Sequence, residues 1–114
     1  MMINCTPHSI IIKIGEKELV FPPSGIIPRV ATIEVPAEGI DGIPCVTQRL
    51  GEVQGLPDPE PGTFFLVSSL VFQASEREDL VAPDTGKTCI RDDQGRIVAV
   101  TRLIRKEVRK NEKV

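Results

Sequence analysis

Proline punctuates this chain and limits what it can become. Ten of the 114 residues are proline. The ring fixes φ and removes an N–H donor, so proline halts helices and is kept out of central strands. In Gly55-Leu56-Pro57-Asp58-Pro59-Glu60-Pro61-Gly62 it occupies every second position from Pro57. That segment is predicted to cross the surface in extended form. Pro22-Pro23-Ser24-Gly25 is a second stop.

Between the stops the pattern is mostly that of strands. Residues 9–14 are rich in Ile, Gly15-Glu16-Lys17 is a turn, and residues 18–21 return as a hairpin. Residues 29–35 alternate, with Val30, Thr32 and Glu34 opposite Ala31, Ile33 and Val35. Residues 36–44 read as a connection with a turn signal at Asp41-Gly42. Residues 45–50 are a strand that sets Val46, Gln48 and Leu50 against Cys45, Thr47 and Arg49, and Gly51 invites a bulge. Residues 63–67 fit a buried strand. Val67, Leu70, Val71 and Ala74 then share a helical face, which predicts a short helix over 68–75 capped by Ser68 or Ser69. Residues 80–82 are a short strand before the Pro83-Asp84-Thr85-Gly86 turn. Residues 88–91 and 96–104 form a hairpin around Asp92-Asp93-Gln94-Gly95. The expected fold class is α+β: a mostly antiparallel sheet or partly open barrel with one short helix. No repeated strand–helix unit supports a doubly wound sheet.

Length allows a single domain with a modest core. We assign it to residues 1–104, followed by a basic tail over 105–114. From Arg102 onward six Lys and Arg face two Glu, although the whole chain carries a formal charge of −2. Such a tail is a solvated end or a steering element for an anion. It is too narrow a basic face for duplex nucleic acid. The apolar run 64–72 is far short of the ~20 residues of a membrane helix. The first residues lack a secretory pattern. Cys5, Cys45 and Cys89 are widely spaced, no C-x-x-C occurs and His8 is the sole histidine. Three buried, reduced thiols in a cytoplasm are expected, and no metal or cofactor.

No nucleotide-binding or catalytic motif is present. His8 reads as a residue locking the start of the sheet through its ring. Asp92-Asp93 and the acids around 76–79 read as solvated turn residues with ordinary pKa values. The cationic pattern points elsewhere. Arg29, Arg49, Arg91, Arg96 and Arg102 lie in or beside predicted strands. Singly each reads as a surface residue; together they point to a phosphate-binding surface, because the guanidinium fork matches phosphate. Phe72 points away from Leu70, Val71 and Ala74 on the predicted helix. Its expected cover is a neighbouring subunit, a loop or a stacked base.

The order of motifs resembles a family of small phage and prophage proteins. Asn4-Cys5-Thr6-Pro7-His8, Pro22-Pro23-Ser24-Gly25, Asp41-Gly42-Ile43-Pro44, Gly51-Glu52-Val53 and Gly55-Leu56-Pro57 carry it. Leu66-Val67-Ser68-Ser69-Leu70-Val71 and Arg91-Asp92-Asp93-Gln94-Gly95-Arg96-Ile97-Val98 complete it. The family is identified as one that includes the first-described type of Thoeris anti-defence sponge. That resemblance implies a non-enzymatic protein that sequesters a cyclic ADP-ribose immune signal in the bacterial host cytoplasm, with some members also binding cyclic oligonucleotides. It implies homo-oligomers, dimers or hexamers built from dimers, with pockets of arginines, an aromatic ring and a polar side chain near subunit contacts. By resemblance, Arg49 and Arg102 are the ligand arginines, Phe72 the ring and Asp84 the polar group. Arg91 joins them from the strand pattern. Where the family carries an amide, Asp84 is a departure, suited to a ribose hydroxyl or a base rather than to phosphate. The competing readings are a small phage structural or regulatory protein working through protein contacts, and an undescribed hydrolase.

Overall fold

The computed structural model describes residues 1–107. The part of the expected basic tail at 108–114 lies outside the described residues. The elements are β1 (Met2–Asn4), β2 (Ile10–Ile14), β3 (Lys17–Phe21), β4 (Arg29–Ile40), β5 (Ile43–Gln54), β6 (Phe64–Leu66), α1 (Ser69–Ala74), β7 (Leu80–Pro83), β8 (Ile90–Arg91), β9 (Ile97–Ala99) and β10 (Leu103–Arg105). The α+β reading stands, and the strands described do not close into a barrel.

A small sheet in the order β1-β6-β7-β10 forms the centre. β1 pairs parallel with β6 and β6 parallel with β7, whereas β10 pairs antiparallel with β7. The parallel pairings depart from the expected antiparallel pattern, and β1 is an element that periodicity does not reveal. Three residues are too few for alternation to show. The remaining pairs, β2–β3, β4–β5 and β8–β9, are antiparallel hairpins.

Period-two geometry gives the central sheet two faces. Ile3, Phe65, Leu80 and Ala82 share one. There Cys5, Phe65, Val67, Val71 and Leu80 form the main core, flanked by Val30, Val53, Leu56 and Phe72. Met2, Phe64, Leu66, Val81, Leu103 and Arg105 share the other, following the pairings Met2–Phe64, Leu66–Val81, Arg105–Val81 and Leu103–Pro83. The β2–β3 hairpin lies on that side. It is joined to the chain after β9 by Lys13 N–H to the Val100 carbonyl, 2.8 Å, and Val100 N–H to the Ile11 carbonyl, 2.9 Å.

A buried polar knot fastens β1 to this hairpin. Asn4 is 2% exposed. Its amide donates to the carbonyls of His8 (2.8 Å) and Phe21 (2.7 Å), and its Oδ1 accepts from Thr6 N–H (2.9 Å) and Thr6 Oγ1 (2.7 Å). Ser24 Oγ donates to the Asn4 carbonyl at 2.7 Å, drawing in the Pro22-Pro23-Ser24-Gly25 stop. His8 does lock the start of the sheet, but through its carbonyl; the residue itself is exposed.

The largest correction concerns residues 36–44. They are not a loose connection. β4 runs to Ile40, β5 starts at Ile43, and only Asp41-Gly42 turns, with φ of 52° and 77°. Positive φ at both positions is the type I′ geometry that Asp-Gly favours. Pro36 pairs with Val46 inside the ribbon. Each strand of a two-stranded ribbon has a free edge, so the missing N–H need not break a ladder. The expected bulge is present: Val30 pairs with Val53 and Thr32 with Leu50, so one strand holds an extra residue beside Gly51.

α1 forms where expected, with Ser68 Oγ accepting from Val71 N–H at 3.3 Å. Its orientation differs. Val71 is buried and Phe72 packs on the core, whereas Leu70 is 47% exposed. Val67 belongs to the strand side, since its N–H donates to the Val81 carbonyl at 2.8 Å. Counting it in the helical period shifted the phase. The expected strand over 96–104 is likewise two: β9 stays with β8, and β10 joins the central sheet. Arg105, placed by sequence in the tail, is therefore a sheet residue. Of the three thiols only Cys5 is buried; Cys45 and Cys89 are half-buried, and all three are free. Burial pushes the Cys5 thiol up.

Candidate ligand-binding surfaces

Asp84 and Arg102 are the two candidate residues that the fold brings into contact. Asp84 follows β7 and Arg102 precedes β10, and the antiparallel pairing of those strands sets them side by side. Arg102 Nε donates to Asp84 Oδ2 at 2.6 Å, and Asp84 N–H donates to the Arg102 carbonyl at 3.2 Å. Asp84 Oδ1 accepts from Gly86 N–H at 3.0 Å, an Asx turn that fixes the carboxylate. The Arg102 hydrogen bond, helped by the Gly86 amide, holds the Asp84 carboxyl below its ordinary range. The carboxylate thus offsets the charge of Arg102, whose side chain is 60% exposed.

Arg91 and Phe72 are engaged elsewhere. Arg91 Nη1 donates to the Gly95 carbonyl at 2.7 Å and braces its own hairpin. Phe72 is half-buried, and its cover comes from its own chain: the Lys106 ammonium lies 4.2 Å from the ring centroid. Arg96 turns back to Asp92, whose carboxylate also accepts the N–H groups of Gln94 and Arg96 at 2.9 Å. Those contacts, the Arg96 amide foremost, lower the Asp92 carboxyl, and the Arg77 hydrogen bond does the same for Asp79. Both carboxyls were expected to be ordinary. Arg77 makes a two-point contact with Asp79 (3.0 and 2.7 Å) and donates to the Pro57 carbonyl at 2.8 Å, tying the proline-rich crossing to the core.

Arg49 stands apart on the β4–β5 ribbon. Pairing opposite Ile33 puts it on a face with Val35, Ala37, Cys45 and Thr47, because Val35 pairs with Thr47 and Ala37 with Cys45. Ile33 is 38% and Val35 49% exposed, and Ile40 and Ile43 at the tip are more so. Arg49 is the only charge on that face from Ile33 to Ala37 and across from it. The acid Glu34 sits on the opposite face, where Gln48 donates to it at 2.9 Å. A lone two-stranded ribbon is marginal in water, and Ile33 and Val35 stay exposed on this one.

An open groove lies where, apart from Arg102 at one end, the sequence singled out nothing. On the second face of the central sheet, Met2, Phe21, Phe64, Val81, Leu103 and Arg105 line a space of about 430 Å³. The Arg105 guanidinium rests over the Phe64 ring, 4.9 Å from its centroid. A second hollow of about 390 Å³ adjoins it through Met2, Phe21 and Leu103 and ends at Arg102. The missed signal was the alternation of Leu103 and Arg105, which puts both on one strand face.

In one protomer, then, the five candidates occupy four places: the ribbon face, the helix, the β8–β9 hairpin and the Asp84–Arg102 pair. Among the described residues no group of three or more His, Cys, Asp or Glu is placed to hold a metal ion, and no helix is long and apolar enough to cross a membrane. In comparisons with known proteins, the chain matches no family model, no curated protein and no solved structure.

Proposed function

We propose that this protein binds and sequesters a phosphorylated cyclic nucleotide, of the cyclic ADP-ribose class that the motif order suggests, without cleaving it. In this reading it is a phage-encoded sponge working in the bacterial host cytoplasm as a homo-oligomer. The supporting observation is Arg49, the one charge on the exposed ribbon face from Ile33 to Ala37 and across from it. When a second copy covers that stretch, the guanidinium is taken from water with no carboxylate on the same face from Ile33 to Ala37 or across from it to neutralise it. A phosphate is the partner that resolves the desolvated charge, and its attraction strengthens as the local dielectric falls. Two such forks on a diphosphate are compatible with nanomolar affinity, about 12 kcal/mol. Arg102 contributes from another edge, oriented by Asp84.

The same face favours a second reading, a structural or regulatory phage protein in which the ribbon only joins polypeptides. One experiment separates them. Protein is incubated with cyclic ADP-ribose isomers, freed of unbound ligand, then denatured. Stoichiometric release of unaltered nucleotide supports the sponge. Release of none supports the structural reading, and a consumed ligand with more than one turnover per chain supports a hydrolase.

A further inference from the structure

Beyond the nucleotide reading, we propose that the hollow between the β2–β3 hairpin and the central sheet is a separate site for a small organic anion with an apolar body, an alkyl or aryl carboxylate. The adjoining spaces of about 430 and 390 Å³ fall in the range of small-molecule sites. Their walls are apolar: Phe21, Phe64, Val81 and Leu103, with Met2 between the two hollows. Thioether and phenyl walls adapt to chains and rings alike.

Charge fixes the direction of the occupant. Among the described residues no carboxylate lines either hollow. At one end Arg102 is already matched by Asp84. At the other, the Met1 ammonium donates to the Gly62 carbonyl at 2.8 Å, whereas Arg105 has no ion-pair partner among the described residues and its guanidinium lies over Phe64. Stacking uses the face of the guanidinium and leaves the edge N–H groups to meet a planar carboxylate. The head therefore belongs at Arg105, and the body runs past Phe64 and Leu103 toward Ile12 and Leu19.

The test is calorimetric titration of the full chain with hexanoate, octanoate and decanoate, with decanol as the uncharged control. Affinity is expected to rise about threefold to fourfold per methylene. Arg105→Gln, at an exposed position, is expected to weaken decanoate about tenfold and leave decanol unchanged. It is expected to leave nucleotide titrations unchanged too, which separates failure here from failure of the proposed function. Absence of carboxylate binding would overturn the site. So would equal decanoate affinity in Arg105→Gln, equal affinity for decanol and decanoate in the wild type, or binding that occurs only as an oligomer dissociates, which would make a second copy the occupant.

Discussion

Replacing Asn4 with Ala should remove about 3 kcal/mol of stability, a large share of what a domain this size holds. The figure follows from the partners. Asn4 is 2% exposed and makes four side-chain hydrogen bonds. Once Asn4 Oδ1 is gone, the Thr6 hydroxyl can turn its one proton to the His8 carbonyl 3.0 Å away, so the loss there is small, about 0.5–1 kcal/mol. The Phe21 carbonyl loses the amide, at a similar cost. The buried Thr6 N–H is left without its acceptor, and an orphaned buried donor costs about 1–3 kcal/mol. Urea denaturation is the assay. With a slope near ~1.5 kcal/mol/M the midpoint should fall by roughly 2 M at unchanged slope. Asn4→Asp is the isosteric control: it keeps the acceptor for Thr6 but aims a carboxylate at two carbonyls. At neutral pH it should be at least as destabilised as Asn4→Ala. A shift of under ~0.5 M in both variants would refute the claim that this knot fastens β1 to the hairpin.

Two further outcomes are expected. Asp79 is held below its ordinary range by Arg77, so its contribution is present above the unfolded-chain value near ~3.9 and is lost as pH falls through the lower folded value. Arg77→Ala should cost about 1–2 kcal/mol at pH 7 and flatten the acid limb of the stability profile below pH ~4, read by denaturation at stepped pH; an unchanged limb would contradict the pairing. Asp92→Ala should speed amide hydrogen exchange at Gln94 and Arg96, whose N–H groups it accepts, with no change in the global urea midpoint.

Much of the fold was legible because turn chemistry is local. Gly15 with φ of 60°, Asp41-Gly42 and Gly95 with φ of 83° all turn where the residues said they would, and Ser68 caps the helix. What was hidden depends on pairing at a distance. The three residues of β1 acquire meaning only beside β6, and the sheet continues after Arg102 only because β7 is there to receive it. Proline misled at residue 36, since its effect depends on whether the strand edge is free. The helix phase was misread because a strand residue, Val67, mimicked the period. For the site, sequence singled out arginines but not their partners. Asp84 and Arg102, 18 positions apart, neutralise one another, Arg91 braces its own turn, and Arg105 was set aside as tail. Only Arg49 could be placed correctly from alternation alone, on the face with Cys45 and Thr47.

The central claim is that a phosphorylated cyclic nucleotide is held by Arg49 on the ribbon face. Calorimetric titration of cyclic ADP-ribose isomers and cyclic trinucleotides into wild type and Arg49→Ala tests it most directly. The account predicts saturable binding that weakens at least tenfold in the variant, the loss of one charge-assisted contact of about 1.5–3 kcal/mol. Equal affinity in both proteins, or no heat from any nucleotide, would contradict it.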